Sequence, residues 1–287
     1  MRRPLRTEKI KAAALRRLSK AGRDYCRRGQ YRRAENALKR ALRDSITIFG
    51  KESKQTCAAL NDYGVLCKYT GRFAKAEQLY RRILKILPSA IDADDSDLAT
   101  LYHNLGGLEH ARGRHGRGEP FARKAVKIRT RALGPKHPLV AADEVALGAI
   151  LDGRGKHKEA RLLYRRGLRV FRAAVKPDAY EIAVTLNNLA ASYYAAGKFA
   201  AAEGFFQEAL ALKETLLGRR HIDVAVTLNN LALLYKRQRR WHLAATHYKR
   251  ALSIIRGALS PRHPNVIVCQ NNYATVLAAL KRSGEAK

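Results

Sequence analysis

Acidic residues are scarce in this chain. It has 24 Asp and Glu against 57 Lys and Arg over 287 residues, which gives a formal net charge of +33 at pH 7. Solubility alone does not require such an excess of one sign. We therefore expect a binding partner of acidic character.

Long apolar runs and closely spaced cysteines are also missing. No window of 18 residues is apolar and free of charge, which excludes a membrane-spanning helix. Cys26, Cys57, Cys67 and Cys269 show no CxxC spacing and fall inside apolar helical patterns, so we expect packed free thiols rather than metal ligands. The basic start of the chain lacks the apolar core and cleavage site of a secretory signal, although such a composition also fits a mitochondrial presequence. We expect a cytoplasmic protein.

Motifs for cofactors and catalysis are absent as well. The glycine-rich stretch 113–118 follows a helical pattern and has no Gly-Lys-Ser/Thr, so it is not a phosphate loop. The acidic run 92–97 lacks the glycine and terminal Glu of a calcium-binding EF-hand loop, and we interpret it as a cap on the next helix. No nucleophile, base and orienting group recur together. The sequence predicts neither an enzyme nor a bound cofactor.

The histidines do not form a catalytic or metal site by pattern. His137, His221 and His263 share one loop position, and because no acid or nucleophile recurs beside them we interpret them as local hydrogen-bonding residues. His103 and His110 lie seven residues apart on one helical face, without a third ligand for a metal ion. The sequence predicts no metal site.

The dominant feature of the sequence is a repeat of 42 residues. One turn position recurs at this step, and its first five members are glycines, which end a helix in left-handed backbone angles. Arg239 and Lys281 are expected to adopt the same angles at a steric cost. The turn positions are Gly29, Gly71, Gly113, Gly155, Gly197, Arg239 and Lys281.

A helix is predicted on each side of every turn, forming a hairpin. Before the turn, Leu186, Leu189, Ala190 and Tyr193 recur at the spacing of a buried helical stripe, and the pattern returns 42 residues later. After the turn, a small residue near the helix start allows two helix backbones to approach closely. The small residues are Ala34, Ala76, Gly118, Ala160, Ala202, Ala244 and Ala286. The count predicts seven first helices and six complete second helices.

The repeat also predicts the domain organisation. We expect a basic, helical segment over residues 1–14, six repeats over 15–266, and the first helix of an incomplete seventh repeat with a tail over 267–287. An incomplete repeat exposes apolar surface, so its end should pair with another copy of the chain or fray. The middle of the chain should pack least regularly, because Glu109 and Glu144 replace apolar residues and Pro120 falls early in a second helix.

Three segments resemble the tetratricopeptide repeat family, in particular the 42-residue class found in kinesin light chains. They are the first-helix motif LNNLA at Leu228–Ala232, the second-helix motif AEQLYRRIL at Ala76–Leu84 and the link GPKHP at Gly134–Pro138. The resemblance implies an all-α fold in which stacked hairpins form a right-handed superhelix. First helices of this family line a concave groove that binds peptides. Stacking also follows from the repeat itself, since one hairpin cannot bury its apolar face alone.

Asparagines recur in the middle of the first helices, although Asn is a mediocre helix former. By the resemblance they face the groove, where an amide can both donate to and accept from a peptide backbone. Alternatively, one Asn of each neighbouring pair bonds across to the adjacent repeat. The residues are Asn61, Asn104, Asn187, Asn188, Asn229, Asn230, Asn271 and Asn272. Further groove candidates, which favour an acidic and aromatic ligand, are Lys68, His103, His110, Tyr194, Lys236 and Arg237.

Pairs of basic residues occupy one position in five second helices. By the family's geometry they align as a basic stripe on the convex side, where exposed Lys and Arg most often form only a solvated face. Clustered positive charge also attracts nucleic acid or an anionic membrane surface, although no RNA-binding motif accompanies it. The stripe comprises Lys39, Arg40, Arg81, Arg82, Arg123, Lys124, Arg165, Arg166, Lys249 and Arg250. The sequence thus predicts a protein-interaction scaffold, with sequence-nonspecific nucleic-acid binding as the alternative.

Overall fold

A computed structural model describes residues 6–89, 94–261 and 263–284, with side chains from residue 12 onward. These ranges contain thirteen α-helices, a 3-10 turn at Leu87–Ser89 and no strand, which confirms the all-α prediction. Odd-numbered helices are the seven first helices of the repeats and even-numbered ones the six second helices, as predicted. The helices are α1 (Arg6–Arg27), α2 (Tyr31–Phe49), α3 (Lys54–Tyr69), α4 (Phe73–Ile86), α5 (Asp95–Ala111), α6 (His115–Leu133), α7 (Pro138–Gly153), α8 (His157–Ala173), α9 (Ala179–Ala195), α10 (Phe199–Leu217), α11 (Ile222–Arg237), α12 (Trp241–Ala258) and α13 (Pro264–Arg282).

The helices belong to two compact units, Met1–Gly134 and Pro135–Lys287. Within each unit consecutive helices pack in chain order, and each first helix also touches the next first helix. Successive second helices make less contact with one another, so they are spread further apart. Each unit therefore has a first-helix face, formed by α1, α3 and α5 or by α7, α9, α11 and α13. Its second-helix face is formed by α2, α4 and α6 or by α8, α10 and α12.

The hairpin turns follow the predicted positions up to the sixth repeat. The five glycines have φ between 67° and 77°, and Arg239 adopts φ 59° as the single non-glycine residue with positive φ in the described ranges. The predicted turn at Lys281 is wrong. Helix α13 continues through Lys281 to Arg282, and the positive φ of 72° falls on Gly284, which adopts it without a Cβ clash.

Small residues on both helices of a hairpin determine how closely the helices pack. The predicted small residues of the second helices are buried from Ala34 to Ala244, while Ala286 lies outside the described residues. A second set, which the sequence did not predict, lies on the first helices, where Gly64 faces Tyr80 and Gly148 faces Tyr164. A Cβ on Gly64 would lie 2.5 Å from Cε1 of Tyr80, so glycine is required for this tyrosine to fit.

The charged residues in the middle of the chain are buried and paired. Glu109 Oε1 accepts a hydrogen bond from Arg112 at 3.0 Å, and Glu144 lies 3.1 Å from Arg166. Burial raises the pKa of Glu144, while the charge of Arg166 opposes that rise. Pro120 lies in the second turn of α6, which continues unbroken from His115 to Leu133. Glu109 and Glu144 are thus each compensated by one ion pair, although one oxygen of each carboxylate is buried without a hydrogen-bond partner in the described residues.

The first helices begin at side-chain caps. Nδ1 of His137, His221 and His263 each accepts the backbone N–H two residues further on at 3.1 Å, which confirms the local role predicted for these histidines. Asp94 and Asp97 form a capping box at the start of α5, as predicted for the acidic run, while Asp92 lies outside the described residues.

All four cysteines are free thiols, as predicted. Cys57, Cys67 and Cys269 are buried and Cys26 is partly buried.

Candidate functional site

The asparagine rows of the first helices are joined across repeats. Asn104 Nδ2 donates to Asn61 Oδ1 at 2.8 Å in unit 1, and Asn230 Nδ2 donates to Asn187 Oδ1 at 3.3 Å in unit 2. Asn104 and Asn187 are buried. For these two pairs the structure shows a bond to the adjacent repeat, which is the alternative to a groove role.

A buried polar network extends from one of these pairs into unit 2. The ammonium of Lys213 donates to Thr227 Oγ1 at 3.0 Å, and Thr227 in turn donates to Asn187 Oδ1 at 3.2 Å. Burial lowers the pKa of Lys213, and the charge of Asp223 opposes that shift. Asn187 Oδ1 therefore accepts two hydrogen bonds and orders the interface of α9, α10 and α11. The role of Lys213 could not be predicted from the sequence, because a lysine in an amphipathic helix normally reaches solvent.

The other asparagines of the rows have different surroundings. Asn188 is partly exposed on α9, and Asn229 Oδ1 is buried on α11; neither amide has a hydrogen-bond partner within the described part of the chain. Asn271 is exposed, and Asn272 accepts a hydrogen bond from Lys236 at 3.2 Å. Asn188 and Asn229 therefore keep hydrogen-bonding capacity on the first-helix face of unit 2.

Lys68 is an unpaired cation on the first-helix face of unit 1. Its Nζ lies against Gly107 of α5, 3.3 Å from where a Cβ on that glycine would be, and 5.4 Å from the ring centre of Tyr69. Among the described residues no carboxylate or hydrogen-bond acceptor contacts it. Burial without a compensating charge lowers the pKa of Lys68 to about 8. A carboxylate supplied by a ligand would therefore stabilise this site.

The remaining groove candidates lie in the middle or at the end of the first helices, or bond to a residue of the next one. His103 is partly exposed on α5, and His110 is exposed with its Nδ1 3.3 Å from Nδ1 of His115. Tyr194 packs its ring 5.8 Å from that of Phe199, and Arg237 is exposed at the end of α11. In the described ranges no cluster of three or more His, Cys, Asp or Glu could hold a metal ion.

A small cavity of about 130 Å³ lies beside α3 and α5 in unit 1. Asn61 lines it together with two ion pairs, Arg23 with Asp62 at 2.6 Å and Lys54 with Asp97 at 2.8 Å. Burial raises the pKa of Asp62, although Arg23 opposes the rise. Apolar side chains such as Ile83 and Leu101 line the cavity beside charges of both signs, so it does not select a negative ligand.

The predicted basic stripe is largely neutralised by contacts within the chain. In the first three repeats one member of each pair bonds to a Glu four residues earlier, as Lys39 does to Glu35 at 2.9 Å. Arg165 donates to the hydroxyl of Tyr193 at 2.5 Å, and the ammonium of Lys124 lies 5.3 Å from the ring centre of Tyr102. The other carboxylate pairs are Arg40 with Asp44, Arg81 with Glu77, Arg123 with Glu119, Arg166 with Glu144, and Arg250 with Glu214.

Four members of the stripe contact no carboxylate within the described part of the chain, namely Arg82, Lys124, Arg165 and Lys249, and of these Arg82 and Lys249 also lack a contact with a tyrosine. The second-helix faces therefore present fewer free cations than the sequence implies.

Known proteins share this fold at low sequence identity. BtubC (BKLC) from P. vanneervenii has 21% identity and a TM-score of 0.56, with 88% of this chain and 92% of that chain covered. A variant of a putative kinesin light chain with nearly identical TPR-like repeats, from Podosopora anserina, has 20% identity and a TM-score of 0.51, covering 67% and 90%. NprR in complex with its cognate peptide NprX has 16% identity and a TM-score of 0.68, covering 100% and 76%. No curated protein matches the sequence.

The sequence profile of the tetratricopeptide repeat family matches residues 12–89, 97–173, 181–256 and 223–287. None of the described helices combines the length and the apolar character that crossing a membrane requires. The chain belongs to the tetratricopeptide repeat family.

Proposed function

We propose that this protein is a scaffold that binds an acidic segment of a partner protein along its first-helix faces. Family membership supports a binding role, and one structural relative, NprR, was solved with a bound peptide. The observation that supports acidic character most directly is the unpaired Lys68 ammonium between α3 and α5. A carboxylate at this position would compensate the charge that the protein alone leaves unpaired.

Other residues of the first-helix faces support the same mode of binding. Asn188 offers its amide to the backbone of a bound segment, and Arg237 offers a further exposed cation. Each contact is modest, so affinity would come from many of them on a preformed surface. Four free thiols fit the reducing cytosol, which is where we place the protein.

The pKa of Lys68 allows a direct test with a fluorescein-labelled peptide of Glu and aromatic residues. The peptide carboxylates bind the protonated amine, so affinity should fall as the pH rises through about 8, where Lys68 loses its proton. K68M should weaken binding about tenfold and remove this pH dependence. K68R is the matched control: because arginine stays charged, it should keep tight binding above pH 8.

Two results would contradict the proposal. In the first, K68M binds the peptide as the unmodified protein does. In the second, K68R shows the same loss of affinity at high pH, which would assign the titration to another group. Fluorescence polarisation at two salt concentrations should also show weaker binding at higher ionic strength.

Nucleic-acid binding through the second-helix faces is the less favoured function, since most cations of the basic stripe already contact carboxylates or aromatic rings. A filter-binding titration with random single-stranded RNA at two salt concentrations distinguishes the two functions. Retention near physiological salt, with loss on charge reversal of Arg82 and Lys249, would support this alternative over the scaffold.

A further inference from the structure

A larger cleft lies on the second-helix face of unit 2, away from the first-helix face. Its volume is about 570 Å³, and it opens between α8 and α10 with α9 as its floor. This volume falls in the range of known ligand sites. It can form here because successive second helices are spread apart and leave the helix beneath them uncovered.

The floor and one wall of the cleft are apolar. Leu189 of α9 is buried at its base, and the rings of Tyr193 and Phe205 stack with their centres 5.5 Å apart. The first half of α10 carries small residues, including Ala201 and Gly204, and a Cβ on Gly204 would meet open space. The cleft is thus shaped to accept an apolar side chain, in particular an aromatic ring.

The rim of the cleft is cationic. Arg165, Arg169 and Arg172 follow one another on a single face of α8. The Tyr193 hydroxyl accepts a hydrogen bond from Arg165 at 2.5 Å, and Glu208 accepts one from Arg172 at 3.0 Å. Arg169 contacts no carboxylate in the described ranges. At least one guanidinium is therefore free to bind an anion beside the apolar floor.

Only one carboxylate of α10 contacts this rim. Glu203 is bonded to Arg240 at 2.9 Å and Glu214 to Arg250, both on the far side, toward α12. Only Glu208 turns to α8, where Arg172 already occupies it. Among the described residues no carboxylate contacts Arg165 or Arg169, so their positive charge is available to an external partner.

We propose that this cleft binds a segment of a partner protein in which an aromatic or aliphatic side chain is flanked by carboxylates. The apolar floor takes the side chain, and the arginines of α8 take the carboxylates as charge-assisted hydrogen bonds. A single strand of nucleic acid needs a longer run of free cations along its backbone. The site is separate from the first-helix face and does not depend on the function proposed there.

A probe at the end of α8 reports occupancy of the cleft directly. Ala173 lines the cleft and is exposed, so A173C can carry a polarity-sensitive fluorophore. Three native cysteines are buried, and burial raises the pKa of the fourth, Cys26, to about 11, which keeps its reactive thiolate scarce at neutral pH. The ligand is a synthetic peptide with one tryptophan between glutamates, compared with versions carrying Lys for Glu or Ser for Trp.

The expected result is a blue shift of the fluorophore with the Glu–Trp peptide and little response to the two altered peptides. R169E should weaken binding about tenfold, because it replaces an attractive charge by a repulsive one. F205A should weaken binding by a similar factor through loss of the apolar wall. K249E makes the same change of sign on exposed α12 and should leave the affinity within about twofold.

Several outcomes would overturn the proposal. They are an affinity unchanged by R169E, an equal loss for R169E and K249E, or a fluorophore response to random single-stranded RNA instead of the peptide. K68M should not change the signal at position 173, so failure of the first-helix site and failure of the cleft give different results. Circular dichroism confirms that each variant remains helical.

Discussion

At the scale of single residues, the role of an asparagine depends on whether the next repeat supplies a hydrogen-bond partner for its side chain. Asn187 and Asn188 are neighbours with the same chemistry. Asn187 accepts hydrogen bonds from Thr227 and Asn230 of the next repeat, whereas Asn188 has no partner among the described residues. A sequence motif such as LNNLA cannot distinguish the structural amide from the available one, since the difference comes from the packing of two hairpins.

This difference leads to a prediction for the asparagine variants. N187A leaves Thr227 and Asn230 without their buried acceptor and should reduce the free energy of unfolding by about 1 to 3 kcal/mol. The double variant N188A/N229A should keep its stability within about 0.5 kcal/mol, because neither amide has a partner to lose. The same double variant should weaken the acidic peptide on the first-helix face. Urea unfolding and fluorescence polarisation measure the two effects, and equal destabilisation by both variants would contradict the assignment.

Buried tyrosines give a second comparison at this scale. The hydroxyl of Tyr80 is buried without a hydrogen-bond partner, while that of the equivalent Tyr164 donates to Asp152 at 3.0 Å. Burial raises the pKa of both phenols. Both rings lie against a glycine, so their packing is otherwise alike.

We expect Y80F to be neutral or slightly stabilising, since it removes a polar atom that loses its hydration on folding without gaining a bond. Y164F should cost about 1 kcal/mol, because it removes a hydrogen bond and leaves Asp152 with one donor fewer. Thermal and urea unfolding of the two variants measure this difference. Destabilisation of Y80F as large as that of Y164F would show that the Tyr80 hydroxyl has a partner after all.

At the scale of the elements, hairpins are joined by an ion pair that recurs in both units. Glu35 near the start of α2 accepts from Arg72, the residue before α4, at 2.7 Å, and Glu203 of α10 accepts from Arg240, the residue before α12, at 2.9 Å. A tyrosine hydroxyl donates to the same carboxylate in each case, from Tyr63 or Tyr235. This contact links one second helix to the next, although the second helices otherwise make little contact with one another.

The Glu35 contact predicts a pH dependence of stability. Partial burial acts to raise the pKa of Glu35, but hydrogen bonds from Arg72 and Lys39 outweigh it and lower the pKa from 4.5 to about 2. The ionised Glu35 carboxylate therefore stabilises the fold fully above pH 4.5, and this stabilisation is lost as the pH falls toward 2. E35Q should lower the free energy of unfolding at pH 6 and flatten its decline in this acidic range.

The matched control for that measurement is E52Q. Glu52 is an exposed loop carboxylate without an ion pair in the described ranges, so its removal should leave the pH profile parallel to that of the unmodified protein. The experiment is urea unfolding at a series of pH values. A parallel profile for E35Q as well would refute the role of the Glu35–Arg72 pair.

At the scale of the whole molecule, the sequence predicts the order of helices but not their polar contacts. Hydrophobic spacing and the turn glycines predict the thirteen helices, because each signal is local to one hairpin. The turn predicted at Lys281 is wrong, since Gly284 three residues later can adopt the positive φ that ends the helix at a lower steric cost. The buried Lys213 and the cleft beside α8 could not be predicted, because they depend on residues from different repeats. Two ion pairs of the basic stripe, those of Arg166 and Arg250, were not predicted for the same reason, since their carboxylates come from another helix.

Exposed apolar residues of α13 bear on whether copies of the whole molecule associate. Ile267 and Val268, neighbours near the start of α13, are 45% and 54% exposed and together form an apolar patch on its surface. We predict that two copies of the chain associate through this face. The net charge of +33 opposes such contact at low salt, so association should strengthen as salt screens the repulsion. An interface of ion pairs would show the reverse dependence.

Sedimentation velocity at several protein concentrations, in low and high salt, tests this prediction. The double variant I267K/V268K should remain monomeric in both conditions, because it places like charges at the centre of the contact. L162K is the matched control, since Leu162 of α8 is 67% exposed and lies on a different surface of unit 2. If L162K suppresses association as strongly, or if the unmodified chain stays monomeric in high salt, the α13 face is not where the copies meet. Hydrogen exchange in α13 should then instead show the fraying expected of an uncovered helix.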